Sequence, residues 1–156
     1  MEPNKVNILK WVESLENDGL AQCKGRLTKV HEDGSLSHCC LGVATELAIA
    51  NGVEGITFST DNGIGKDGAP EAYRVYTYSM EDVSYPLLEA SWLPRPVREW
   101  LGLDSSDAYV ANLDGGFIAA STANDSMNWD FAMIAAGLRR AYLDEPVEPK
   151  ADVAGQ

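Results

Sequence analysis

The chain has 156 residues, enough to bury one ordinary core without disulfide or metal staples. Its 24 acidic residues against 12 basic ones give a formal charge of −12, which leaves no basic stripe and argues against ordinary nucleic-acid binding. Hydrophobic residues make up 45% of the chain, within the globular range, so wholesale disorder is excluded.

The opening Met1-Glu2-Pro3-Asn4-Lys5 lacks the basic start and apolar run of a secretory signal, and no apolar stretch reaches bilayer length. Three cysteines cannot all pair within one chain. The expectation is a cytoplasmic protein with reduced thiols and no membrane partner.

In chain order, the first expected element is a helix from Asn4 to about Asp18. Asn4 suits the N-cap, and Val6, Leu9 and Val12 with Ile8, Trp11 and Leu15 make an apolar stripe at helical spacing, with Trp11 in the core. Residues 26–38 alternate around the turn Glu32-Asp33-Gly34 and read as a short hairpin. Lys24, Arg26 and Lys29 here form the only local excess of positive charge. Ser37 is expected to cap a mostly buried helix running from His38 or Cys39 to Asn51-Gly52, in which Glu46 is the one charge and needs a partner or a solvent window.

Ile56–Thr60 and Ala72–Tyr78 carry β-branched and aromatic residues and predict two strands joined by a long glycine-rich loop, 61–71. That loop matches neither a calcium-binding pattern nor a phosphate loop. A short helix follows Pro94 and ends at Gly102. Residues 108–113 read as a strand, then Asp114-Gly115-Gly116 as a turn, and Ala123-Asn124-Asp125-Ser126 as a loop. Asp130 caps a final helix whose Phe131, Ile134, Ala135 and Leu138 repeat at helical spacing. Together these predict an α+β fold: one compact domain over 1–144, three to four helices on a small, mainly antiparallel sheet. Residues 145–156 read as a disordered, acidic, proline-containing tail.

The run His38-Cys39-Cys40-Leu41-Gly42-Val43 is the most distinctive feature. A helix start offers free N–H groups and a positive dipole end, which attract anions and lower a thiol's pKa. Three uses compete. Cys39 or Cys40 acts as a nucleophile with His31 as base, giving a hydrolase or transferase. The thiols are packed as small hydrophobes. Or the helix start belongs to a ligand site in which Lys24, Arg26, His38, Cys39, Cys40, Asn124 and Asp125 converge, with Asn and Asp reading a base or ribose and N–H groups a phosphate. Zinc is disfavoured because C-x₂-C spacing is absent, and no cofactor motif is present.

Trp11, Leu15, Gln22, Lys24-Gly25-Arg26-Leu27, Cys39-Cys40-Leu41-Gly42-Val43, Leu93-Pro94, Trp100-Leu101-Gly102-Leu103 and Asn124-Asp125 occur in an order that resembles a group of small bacteriophage and prophage proteins marked by a Cys-Cys-Leu-Gly-Val core. The resemblance implies a phage accessory protein working in the host-cell cytoplasm, and brings no activity with it. Three functional expectations follow. The first is a protein that binds a small anionic, nucleotide-like ligand and antagonises a host defence pathway. The second is a cysteine-dependent enzyme. The third is an acidic inhibitor that covers a basic surface of a host defence protein.

Overall fold

The computed structural model describes residues 1–144, so the segment read as a disordered tail lies outside the described residues. Helix α1 (Lys5–Asn17) begins where the Asn4 side chain accepts the Asn7 N–H at 3.0 Å, and it buries Ile8, Trp11, Val12 and Leu15. A hairpin follows, β1 (Thr28–Val30) paired antiparallel with β2 (Leu36–His38). Ser37 therefore lies in a strand, and Cys39 is the N-cap of α2 (Cys40–Ala50). The register Thr28↔His38 holds Ser37 extended, which overrides its capping preference.

Strands β3 (Thr57–Ile64) and β4 (Pro70–Tyr78) pair antiparallel along their whole length, Thr57 opposite Thr77 and Ile64 opposite Pro70. The expected loop of 61–71 thus shrinks to the turn 65–69, because Asp61, Asn62 and Gly63 continue the ladder despite their turn preference. Strand β5 (Leu87–Glu89) adds to β4, giving a sheet in the order β2-β1-β4-β3 with β5 beside β4. Beyond it come α3 (Arg95–Leu101), the two-stranded sheet β6 (Tyr109–Ala111) and β7 (Phe117–Ala119), α4 (Ala120–Asp125) and α5 (Phe131–Tyr142). The fold is α+β as expected, with five helices and two antiparallel sheets among the described residues. The additional helix is α4, which occupies the segment read as the Asn124-Asp125 loop.

Side chains alternate across a strand, and the first sheet uses both faces. Thr28, His38 and Tyr76 are buried on the face toward α2, where the Tyr76 hydroxyl donates to the Glu46 carboxylate and lies 3.0 Å from Thr28 Oγ1. Arg74 Nη1 donates to the same Glu46 at 2.8 Å, so the one charge of α2 has a partner. Lys29 and Glu71 lie on the opposite face and are paired at 3.1 Å. The helical core gathers Trp11, Leu41, Val97, Leu101, Ile134 and Leu138, and Trp11 Nε1 donates to the Cys40 carbonyl at 2.9 Å. Among the described residues no helix is long and apolar enough to cross a membrane.

Candidate functional site

The start of α2 is closed rather than open. The Cys39 N–H donates to Leu27 O at 3.0 Å and the Cys40 N–H to Asn124 Oδ1 at 3.2 Å, so two of the N–H groups expected to face an anion are occupied by the protein itself, and those of Leu41 and Gly42 are directed at the Cys39 thiol. Gly42 explains how the chain comes so near: an added Cβ would lie 1.7 Å from Leu27 O. The Cys-Cys-Leu-Gly-Val run is therefore a packing element in which only glycine admits the crossing backbone.

Both thiols are enclosed. Cys39 is 6% exposed and Cys40 fully buried, with Cys40 Sγ 3.6 Å from Ala120 O. Burial pushes the Cys39 thiol up to about 12, and raises Cys40 well above its ordinary value. That is opposite to the lowering expected from the helix start: desolvation in a closed site outweighs the Leu41 and Gly42 N–H groups, which act to lower the Cys39 thiol. His31 Nε2 shares a hydrogen bond of 2.8 Å with Ser37 Oγ, and His38 Nδ1 shares one of 2.9 Å with Thr28 Oγ1. Burial holds His38 below its ordinary value, reinforced by the Arg74 charge and opposed by Glu46.

Asn124 and Asp125 do reach the helix start, but as a clamp. Buried Asn124 accepts from Gln22 Nε2 at 2.8 Å as well as from Cys40, and its amide donates to Cys23 O at 2.9 Å and Asp125 Oδ1 at 2.8 Å. Asp125 Oδ1 also accepts the Gly25 N–H at 3.2 Å. The clamp thereby fixes the segment that carries Lys24 and Arg26.

Those two residues open onto a cleft of about 850 Å³ between the 24–32 segment and the β3–β4 hairpin. Lys24, Arg26, Lys29, His31 and Lys66 line it, as do the carboxylates of Glu32, Asp67, Glu71 and Asp125. The ligand residues expected from sequence thus divide. Lys24, Arg26 and Asp125 line the cleft; Asn124 lies behind it; His38, Cys39 and Cys40 are not part of its lining. Within it, Arg26 Nε donates to Glu71 Oε2 at 2.6 Å and Lys29 Nζ to Glu71 Oε1 at 3.1 Å. Arg26 also lies over the Tyr73 ring, 3.7 Å from its centroid. Burial alone raises the Glu71 carboxyl, but the hydrogen bonds from Arg26 and Lys29 prevail and hold it below its ordinary value. Lys24 Nζ donates to Asn128 Oδ1, a neutral acceptor, and Lys66 has no ion pair among the described residues.

Lys66, Glu71 and Tyr73 were not among the residues singled out from sequence. The cross-strand register Lys29↔Tyr73 brings them to Arg26, and that pairing leaves no local pattern in the chain. Among the described residues, no group of three or more histidine, cysteine or acidic side chains is placed to hold a metal ion. Compared with known proteins, the chain matches no family model, no curated protein and no solved structure.

Proposed function

We propose that the protein binds a small anionic, nucleotide-sized ligand in the cleft between the 24–32 segment and the β3–β4 hairpin. One observation carries this reading. Four of the chain's 12 lysines and arginines, with His31 beside them, gather around one cavity in a protein of charge −12. The lining lysines and arginines balance the lining carboxylates, so the cleft is a locally neutral site on an acidic molecule. Its volume falls within the range that ligand pockets occupy, and the apolar Val30, Ile64 and Pro70 offer contact to a base or sugar. The resemblance to bacteriophage and prophage proteins supports a setting in host-cell cytoplasm, where the ligand is a nucleotide signal of a defence pathway and binding withdraws it.

Cysteine catalysis draws less support, since both helix-start thiols are buried and raised, and His31 pairs with Ser37. Among the described residues, no observation favours one surface for an acidic inhibitor of a host protein. Calorimetric titration with adenosine triphosphate tests the cleft reading. Binding that weakens at least about tenfold in a Lys24→Glu, Lys66→Glu double variant is the expected result. Absence of binding by adenosine triphosphate and pyrophosphate alike contradicts it.

A further inference from the structure

Arg26 turns a flat side to the cleft. Its Nε donates to Glu71 Oε2 at 2.6 Å, and Lys29 Nζ takes the other carboxylate oxygen at 3.1 Å. The Nε edge of the guanidinium is therefore occupied by an acceptor that belongs to the protein. One flat side rests on the Tyr73 ring, 3.7 Å from its centroid. The Nη2 end lies toward β3, where a Cβ added at Gly63 would stand 3.3 Å from Nη2 and 3.1 Å from the Tyr73 ring. Glycine at that position leaves the stacked pair its room. Arg26 lines the cleft and Tyr73 does not, which puts the guanidinium between the ring and the cavity. What Arg26 presents to a ligand is the flat side turned away from Tyr73.

We infer that Arg26 is the specificity-determining residue of the cleft, a platform on which an aromatic base stacks, so that nucleotides are selected over base-free phosphates. The inference rests on the cleft reading above. A guanidinium is planar, delocalised and weakly hydrated, and it stacks on aromatic rings as well as bonding through its edge. Nucleic-acid bases stack on such planes in the same way. Glu71 holds this plane by its edge and Tyr73 by its far side, so little rotamer freedom remains to be lost when a base closes the sandwich. A base on Arg26 leaves the phosphates to Lys24 and Lys66, the lining lysines that carry no ion pair among the described residues. Arg74 repeats the arrangement, 3.9 Å from the Phe58 ring centroid and paired with Glu46, but it does not line the cleft. It therefore serves as the control.

The test is calorimetric titration with adenosine triphosphate and with ribose 5-triphosphate, which has a hydroxyl where the base stands. The wild type is expected to bind adenosine triphosphate at least about tenfold more tightly than the base-free ligand. Arg26→Lys keeps a cation for Glu71 but has no plane. It is expected to weaken adenosine triphosphate about tenfold and ribose 5-triphosphate less than about twofold. Arg74→Lys is expected to leave the ratio as in the wild type. A second measurement needs no variant: the Arg26 Nε–H proton resonance is expected to move upfield with adenosine triphosphate, as groups above an aromatic plane do, and not with ribose 5-triphosphate. Equal binding of the two ligands by the wild type, a ratio unchanged in folded Arg26→Lys or changed as much in Arg74→Lys, or no base-dependent shift at saturation overturns the stacking role. Adenosine triphosphate binding sensitive to Lys24 and Lys66 would then still uphold the cleft. Failure of the wild type to bind either triphosphate or pyrophosphate overturns both readings.

Discussion

Asn124 Oδ1 accepts the backbone N–H of Cys40 at 3.2 Å across 84 residues of sequence, and this one contact turns a candidate anion site into a structural joint. A helix N-terminus leaves its first N–H groups unsatisfied, and they take a side chain, water or a ligand. Here a fully buried amide takes the place, and its other end ties down Cys23 and Asp125. The basic segment lines a cleft against the β3–β4 hairpin, and the helix start is not part of that lining.

Removing that joint leaves the Cys40 N–H, the Gln22 amide and the Cys23 carbonyl without their buried partner. Asn124→Ala is expected to cost about 2–4 kcal/mol of unfolding free energy. Urea denaturation followed by circular dichroism measures it, and a loss within experimental error would show that the clamp contributes little.

Gly42→Ala places a methyl group 1.7 Å from Leu27 O, a clash that backbone movement alone relieves. About 3 kcal/mol or more of stability is expected to be lost, or folding to fail. Gly116→Ala is the matched control. Its new Cβ meets nothing nearer than Asp114 Oδ1 at 3.4 Å, so a change within about 1 kcal/mol is expected there. Similar losses in the two variants would refute the close-packing role of Gly42.

The thiols give a pH dependence with a definite sign. Cys39 ionises near its ordinary value of 9.0 when unfolded and at about 12 when folded. Between those values the unfolded chain binds fewer protons than the folded one, so stability falls as pH rises. Cys40, raised by the same burial, adds to the fall. Unfolding free energy is expected to be constant from pH 7 to 8.5 and to decline above 9, less steeply in Cys39→Ala. Iodoacetamide at pH 8 is expected to leave Cys39 and Cys40 unlabelled until the protein is denatured. Rapid alkylation of either thiol in the folded state would restore the nucleophile reading.

His38 gives the opposite slope at the other end. Burial holds its folded pKa below the ordinary 6.5, so just under that pH the unfolded chain takes up a proton that the folded chain refuses. Stability is expected to fall as pH drops from 6.5 toward 5, above the range in which carboxylates titrate. A flat profile over that interval in wild-type protein would show that His38 is as easily protonated when folded.

Much of the secondary structure was legible in the chain because it rests on local signals. The Asn4 and Asp130 caps and the Gly102 stop each act within a few residues and stand where expected. Gly102 does so with φ at +72°, the left-handed conformation that ends α3. Of the α1 stripe, Ile8, Trp11, Val12 and Leu15 are buried while Val6 and Leu9 are exposed, because the apolar residues cover more of the helix than the core does. Pairing across the sheet was harder to read. Asp61, Asn62 and Gly63 look like a turn and are strand, because their partners Tyr73, Ala72 and Glu71 supply the ladder. Ser37 looks like a cap and is strand for the same reason. The candidate site follows this division. Lys24 and Arg26 stood out as charge, and the Cys39-Cys40 run as composition. That a carboxylate 45 residues away would meet Arg26 depended on register, which local pattern does not encode.

The most direct measurement is a two-dimensional amide NMR titration of isotope-labelled protein with adenosine triphosphate. Shifts are expected to concentrate at residues 24–32 and 62–72, with the Cys39–Gly42 amides unmoved. Shifts centred on the α2 start, or none at saturating nucleotide, would contradict the assignment of the cleft as the ligand site.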